Sequence, residues 1–232
     1  MKILALDSSG LVASVALVED DILVAEYTMN YKKTHSQTLL PMLDEIKKAV
    51  NLDLESIDAI AVAAGPGSFT GLRIGSATAK GLGLALQKPL IGVPTVEALA
   101  YNLWGSSALI CPIMDARRSQ VYTGLYYAEE ELQTEKEPCA MDMHELISEL
   151  NARGERTVFL GDGVPVYESL IRRELTVAYS FAPPQSSRQR AASVAALGEL
   201  YMKQGRMVTA ADFKPEYLRK PQAEREREGI EL

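Results

Sequence analysis

Few residues in this chain have types and spacings that could do chemistry. Its two histidines, His35 and His144, each fall in the first turn of a predicted helix. Two imidazoles hold a divalent metal on a helix when they stand three or four residues apart, and neither has such a neighbour. A serine–histidine–aspartate arrangement needs no sequence adjacency, so spacing leaves it open; a capping or surface histidine is the plainer reading. Cys111, in an apolar run, and Cys139, in a loop, form neither a disulfide framework nor a ligand spacing. One stretch stands out. Gly65-Pro66-Gly67 is a tight turn between the apolar run that starts at Ile57 and a helix that Ser68 or Thr70 can cap and Pro89 must end. Backbone N–H groups at such a turn can grip phosphate. Here Thr70 stands where the dinucleotide fingerprint G-x-G-x-x-G needs its third glycine, and no lysine completes G-x-x-x-x-G-K-[ST]. The other use of the stretch is packing. Gly71, Gly75, Ala79 and Gly83 recur at four-residue spacing and make a ridge almost without side chains. Each helical glycine costs about 0.5–1 kcal/mol relative to alanine, so a close neighbour, usually a second helix, has to offset them.

Around these residues the elements are regular. The chain has 232 residues, 47% of them hydrophobic, enough for one large domain or two small lobes with real cores. A formal net charge of -7 argues against unaided binding to nucleic acid or an anionic membrane. No apolar run approaches the roughly 20 residues that span a bilayer. MKILALDSSG enters a strand pattern without a signal peptide's cleavage region, so a cytoplasmic protein is expected. Residues 1–7, 11–18 and 22–28 read as a meander of antiparallel strands. Thr34-His35-Ser36-Gln37 has the form of a capping box and opens a helix over 34–50. Leu39, Leu43, Ile46 and Val50 line one face of it, and Leu40 and Met42 widen that stripe beyond what one sheet face needs. Then come the glycine-turn unit, a strand over 90–93 and a helix from Thr95 to about Gly105.

The second half repeats this order. Strands are predicted over 108–115, 120–127 and 131–137, a helix over 142–152, and the run Val158 to Leu160 before Gly161-Asp162-Gly163. A helix over 167–173, a short strand over 176–179 and a long helix over 188–204 follow. Placing Asp7 on Asp115 sets 14–18 on 122–126 without a gap. Strand-strand-strand-helix-strand-helix-strand-helix, twice, is an internal duplication. Each copy builds a mixed five-stranded sheet flanked by helices, an α/β fold with lobes at 1–105 and 106–210 and a charged tail at 211–232. Two such lobes resemble the actin-like, ribonuclease-H-like ATPase and sugar-kinase superfamily. In that superfamily the turns after the lobes' first strands hold phosphate. The resemblance puts a residual nucleotide cleft at Asp7, Ser8, Ser9, Asp115 and Arg117. Arg117 and Arg118 stand where glycines would let backbone approach a phosphate, so ATP hydrolysis by the chain alone is disfavoured.

ILALDSS at 3–9, THSQTLLP at 34–41, AGPGSFTGLRIG at 64–75, GVPTVEALA at 92–100, MDARRSQVY at 114–122 and FLGDG at 159–163 together resemble the TsaB (YeaZ) family, as does the ending Pro215 to Arg219. These are glycoprotease-related accessory proteins of threonylcarbamoyladenosine synthesis in tRNA. The resemblance implies a non-catalytic subunit with no metal. It would pair with the paralogue TsaD, which modifies the anticodon-adjacent adenosine of tRNAs reading codons that start with A. The ATPase TsaE would join that pair, tRNA would be met only through the complex, and no cofactor would be tightly bound, any ATP or ADP being confined to the partner interface. In the catalytic paralogue a helix start carries H-x-x-x-H; the aligned positions here are Thr95 and Leu99. The expected partner interface, also a homodimer interface when the chain is alone, comprises Leu39, Leu43, Ile46, Gly71, Gly75 and Ala79. Arg73 and Lys80 are expected at its rim or at a shared nucleotide site. The rivals are an ATP-dependent small-molecule kinase of the same superfamily and a metallopeptidase.

Overall fold

The computed structural model describes residues 1–31 and 33–219. The tail from 220 to 232, including the charge run at Glu224–Glu228, lies outside the described residues. β1 (Lys2–Asp7), β2 (Ala13–Glu19) and β3 (Ile22–Met29) form the expected meander, and β4 (Ala59–Gly65) and β5 (Leu90–Pro94) add in parallel, giving the order β3-β2-β1-β4-β5. The second sheet uses β6 (Ser106–Asp115), β7 (Gln120–Ala128), β8 (Leu132–Asp142), β9 (Thr157–Leu160) and β10 (Tyr179–Phe181) in the order β8-β7-β6-β9-β10. The two orders are the same, so the duplication is a property of the fold. The pairing is offset by one residue between copies. Asp7 faces Ser14 but Asp115 faces Val121, because the second hairpin loop is one residue tighter. The last strand also lies about three residues later than the sequence suggests, since Asn151 holds Thr176 in the preceding turn at 2.7 Å.

α1 (His35–Ala49) and α2 (Phe69–Leu86) cover one face of the first sheet, packing on Leu4, Leu6, Val15, Ile60 and Val62. Ser68 caps α2 as expected, its hydroxyl accepting from the Gly71 N–H at 3.3 Å. Thr34 occupies the cap position of α1 without the side-chain bond of a capping box. In the second lobe α4 (Met143–Arg153) and α5 (Val164–Glu174) take the equivalent face.

On the opposite faces the chain departs from the expected lobe boundary. α3 (Thr95–Tyr101), encoded in the first half, packs Val96, Leu99 and Ala100 against Ile110, Met114 and Tyr126 of the second sheet. α6 (Ala191–Lys203), encoded in the second half, covers Ile3, Ala5, Ala61 and Ile91 of the first sheet. Only small residues permit that contact: a Cβ on Gly198 would stand 2.7 Å from the Ala61 Cβ. A division at 1–105 and 106–210 therefore does not separate the lobes. Each half supplies a helix to the other's sheet.

After α6 the chain returns along the first lobe. Val208 bridges Leu90 in an antiparallel pair, and Phe213 is buried beside Gly92. The Glu216 N–H bonds the Ala64 carbonyl at 2.7 Å, and Tyr217 stacks on Phe69 with centroids 5.0 Å apart. Residues 211–219 are thus a fixed strap, not the frayed surface segment that their charge pattern suggests.

Candidate functional site

The turn after β1 is sealed by the first lobe itself. Asp7 and Ser9 are fully buried and Ser8 nearly so. The Asp7 carboxylate accepts the Ser9 N–H at 2.9 Å and its hydroxyl at 2.7 Å through Oδ1, while Oδ2 is buried with no partner. Burial pushes this carboxyl up to about 6, against the opposing pull of the Ser9 bonds. The small-residue ridge of α2 lies on this turn. A Cβ on Gly71 would overlap the Ser8 carbonyl oxygen, and one on Gly75 would sit 2.5 Å from Ser8 Oγ, which itself donates to the Gly71 carbonyl at 2.9 Å. The Ser68 N–H donates to the Ser9 carbonyl at 2.7 Å, and a Cβ on Gly67 would strike the same carbonyl. The helix N-terminus that could grip a phosphate thus grips the preceding loop. The neighbour that offsets the glycines is a strand end, not a second helix.

His35 and Gln189 close the turn from outside. His35 Nε2 donates to the Gly10 carbonyl at 2.9 Å, and its buried Nδ1 has no partner among the described residues. Gln189 is buried against Gly10 with neither amide atom bonded. Asp162, from the second lobe's glycine turn, is also held above the usual carboxylate range by burial, with the Arg188 guanidinium pulling it down. Gln189 does not stand out in the sequence, because its burial depends on a contact with Gly10, distant in the chain.

The turn after β6 is open. Asp115 and Arg117 are exposed, Asp115 Oδ1 accepting the Arg117 N–H at 2.9 Å and the Tyr167 hydroxyl at 3.3 Å. The five residues assigned to a nucleotide cleft therefore part into three that are buried and two that face solvent. Beside them a cleft of about 340 Å³ is lined by Phe159, Val164, Pro165 and Arg188, with Asn30 reaching in from the first lobe.

The anticipated interface residues also need correction. Leu39, Leu43 and Ile46 are at most 4% exposed and belong to the core beneath α1; Gly71, Gly75 and Ala79 are buried too. The broad stripe covers the chain's own sheet. Lys80 is occupied by the strap, its Nζ donating to the carbonyls of Ala211 and Phe213 at 3.0 and 3.1 Å. Arg73 does reach the surface, its guanidinium 4.2 Å above the Phe69 ring. What these two helices present outward is Leu40, 52% exposed, and along α2 the stripe Ala77, Gly81 and Leu84, the last 62% exposed.

A family model described as "TsaD: tRNA N6-adenosine threonylcarbamoyltransferase" matches residues 23–227. The tRNA threonylcarbamoyladenosine biosynthesis protein TsaB of Bacillus subtilis is 32% identical over 97% of this chain and 96% of its own length. This chain belongs to the TsaB (YeaZ) family. The Escherichia coli TsaB is 38% identical over 133 residues, 56% of this chain and 57% of its own length. Among solved structures, YeaZ from Pseudomonas aeruginosa superposes with a TM-score of 0.81 at 27% identity, covering 94% of this chain and 99% of that one. The TsaB fold is accordingly the two-lobed actin-like one seen here, and the family's work is threonylcarbamoyladenosine synthesis. Among the described residues, no helix is long and apolar enough to cross a membrane, and no cluster of three His, Cys, Asp or Glu could hold a metal.

Proposed function

We propose that the chain is a non-catalytic, cytoplasmic subunit that docks on and stabilises its catalytic paralogue TsaD. The observation that carries this is the start of α3. Thr95 and Leu99, at the positions of the paralogue's H-x-x-x-H, are 0% and 1% exposed, and Leu99 is packed into the second lobe's core. Leucine offers no ligand atom, and a core position admits neither metal nor substrate. The buried Asp7 turn supports the same reading against a kinase, which needs an open phosphate loop.

The docking surface is the outer face of α1 and α2, through Leu40, Ala77, Gly81 and Leu84 in place of the buried stripe. Exposed leucines on small-residue helix faces permit close helix pairing. The same face serves a two-fold homodimer when the partner is absent. TsaE and an ATP or ADP molecule join at the heterodimer, and tRNA is met through that complex.

Tagged protein recovered from its own cells tests this. Stoichiometric TsaD, lost with Leu84→Glu and Leu40→Glu while the folded monomer persists, is the expected result. Recovery of the protein alone, with ATP turnover rising on an added metabolite, would replace this reading with the kinase.

A further inference from the structure

The tip of the β6–β7 hairpin holds three consecutive residues in the left-handed region, Arg117 (φ 64°), Arg118 (φ 56°) and Ser119 (φ 58°). L-residues with long side chains rarely adopt this conformation. The β2–β3 hairpin makes a comparable tip with Asp20 and Asp21, a residue type that tolerates it. Arg117 and Arg118 are exposed, and among the described residues their guanidinium groups make no ion pair. Arg153, Arg172, Arg173 and Arg190 behave differently, each meeting a glutamate.

The strap brings a third arginine to the same tip. Arg219 Nη1 donates to the Ala116 carbonyl at 3.0 Å, its one side-chain bond among the described residues. Two residues back, at most about 7 Å along the chain, Tyr217 is exposed and packs at a 45° tilt on Phe69, over whose ring Arg73 lies. Cations and aromatic faces thus alternate along a ledge that runs from the second lobe's hairpin across the strap to the first turn of α2. Asp115 at the foot of the tip is taken up by the Arg117 N–H and the Tyr167 hydroxyl. Glu216 on the strap subtracts from the local charge, and the balance of the four arginines remains positive.

We infer that this ledge binds the phosphodiester backbone of RNA at a single-stranded loop. Arginine forks match phosphate geometry, and an exposed aromatic ring such as Tyr217 can stack on an unpaired base. The rings are what favour RNA over an acidic peptide. The rest of the surface, in a chain of net charge -7, repels RNA, so the ledge orients a molecule that a partner holds. The inference rests on the reading of the chain as a docking subunit of a tRNA-modifying pair.

Its test is fluorescence anisotropy of an unmodified tRNA transcript on the complex with TsaD, titrated at several salt concentrations. Replacing Arg117→Ala and Arg118→Ala together should weaken binding about tenfold and lower the slope of log K against log salt by about 1–2. Arg117→Lys with Arg118→Lys should restore the slope, and Tyr217→Ala should weaken binding several-fold with the slope unchanged. Unaltered affinity and slope in the alanine pair would overturn the inference. So would loss of tRNA in step with dissociation of the complex in sedimentation, which makes the ledge a protein interface, or loss of ADP affinity alone, which makes it a nucleotide site. If the wild-type chain forms no complex with TsaD, the docking reading fails and the ledge inference, which rests on it, falls with it, whereas an intact complex whose tRNA affinity ignores the alanine pair overturns the ledge alone.

Discussion

The two lobes share one strand order and treat the turn after their first strand in opposite ways. In the first lobe the glycine turn rides over the loop, with Gly67 against the Ser9 carbonyl, two residues past Asp7. In the second lobe the equivalent Gly163 meets the Ile113 carbonyl, two residues before Asp115. That shift of four residues decides what each turn can do. One aspartate is sealed under helix and loop with an unbonded oxygen, and the other sits at the foot of an uncovered hairpin whose tip carries arginines. A duplicated framework thus yields one turn that is buried and one that is exposed.

The comparison breaks first at the glycine ridge. Gly71→Ala drives a methyl group into the Ser8 carbonyl and should cost at least about 3 kcal/mol in urea denaturation. Gly81→Ala on the same helix meets nothing within 4 Å and should gain about 0.5–1 kcal/mol. Equal effects at the two positions would mean that the first lobe's turn is not sealed by backbone contact.

The next effect is on pH dependence. Asp7 titrates at about 6 in the fold against 3.8 for an unperturbed aspartate. A carboxyl raised in this way favours the protonated fold, so its contribution is fully present below about pH 4 and is lost as pH rises through 6. Asp7→Asn should therefore leave the melting temperature at pH 4 unchanged and raise stability above pH 6 by up to about 3 kcal/mol. A uniform shift across pH 4–7.5 would show that the Asp7 carboxyl titrates alike in the folded and the unfolded chain. The smallest effect sharpens the other side of the comparison. Arg118→Gly relieves the left-handed backbone and should stabilise the chain by roughly 1 kcal/mol while weakening the RNA contact. Destabilisation instead would show that the Arg118 side chain packs, and that the tip is structural like its counterpart.

Much of the fold was legible because it is local. Alternating apolar runs, the Ser68 cap, Pro89 and the repeated aspartate strand ends report on their own neighbourhoods, and two mixed five-stranded sheets follow from them. The candidate site was legible only as elements. Periodicity says that α1 has an apolar stripe but not what covers it, so Leu39 and Leu40 look alike in sequence although one is core and the other half exposed. Glycine spacing announced a close approach but pointed to a second helix, where the neighbour is the Ser8 carbonyl. The strap was hidden for the same reason: Lys214, Glu216 and Arg219 read as a solvated tail, while Phe213, Glu216 and Arg219 use packing and backbone bonds that no charge pattern reports.

The exchange of α3 and α6 between sheets has a consequence for how the molecule can come apart. A chain cut between residues 105 and 106 would leave the first sheet bare on the face that Val194 and Leu197 cover. Its other half would lack Val96 and Leu99, which cover part of the second sheet. Each fragment would expose an apolar sheet face that the other covers, so the two halves of the repeat are expected to unfold in one transition. Co-expressed as separate polypeptides, they form a system in which each can fold only by capturing the other.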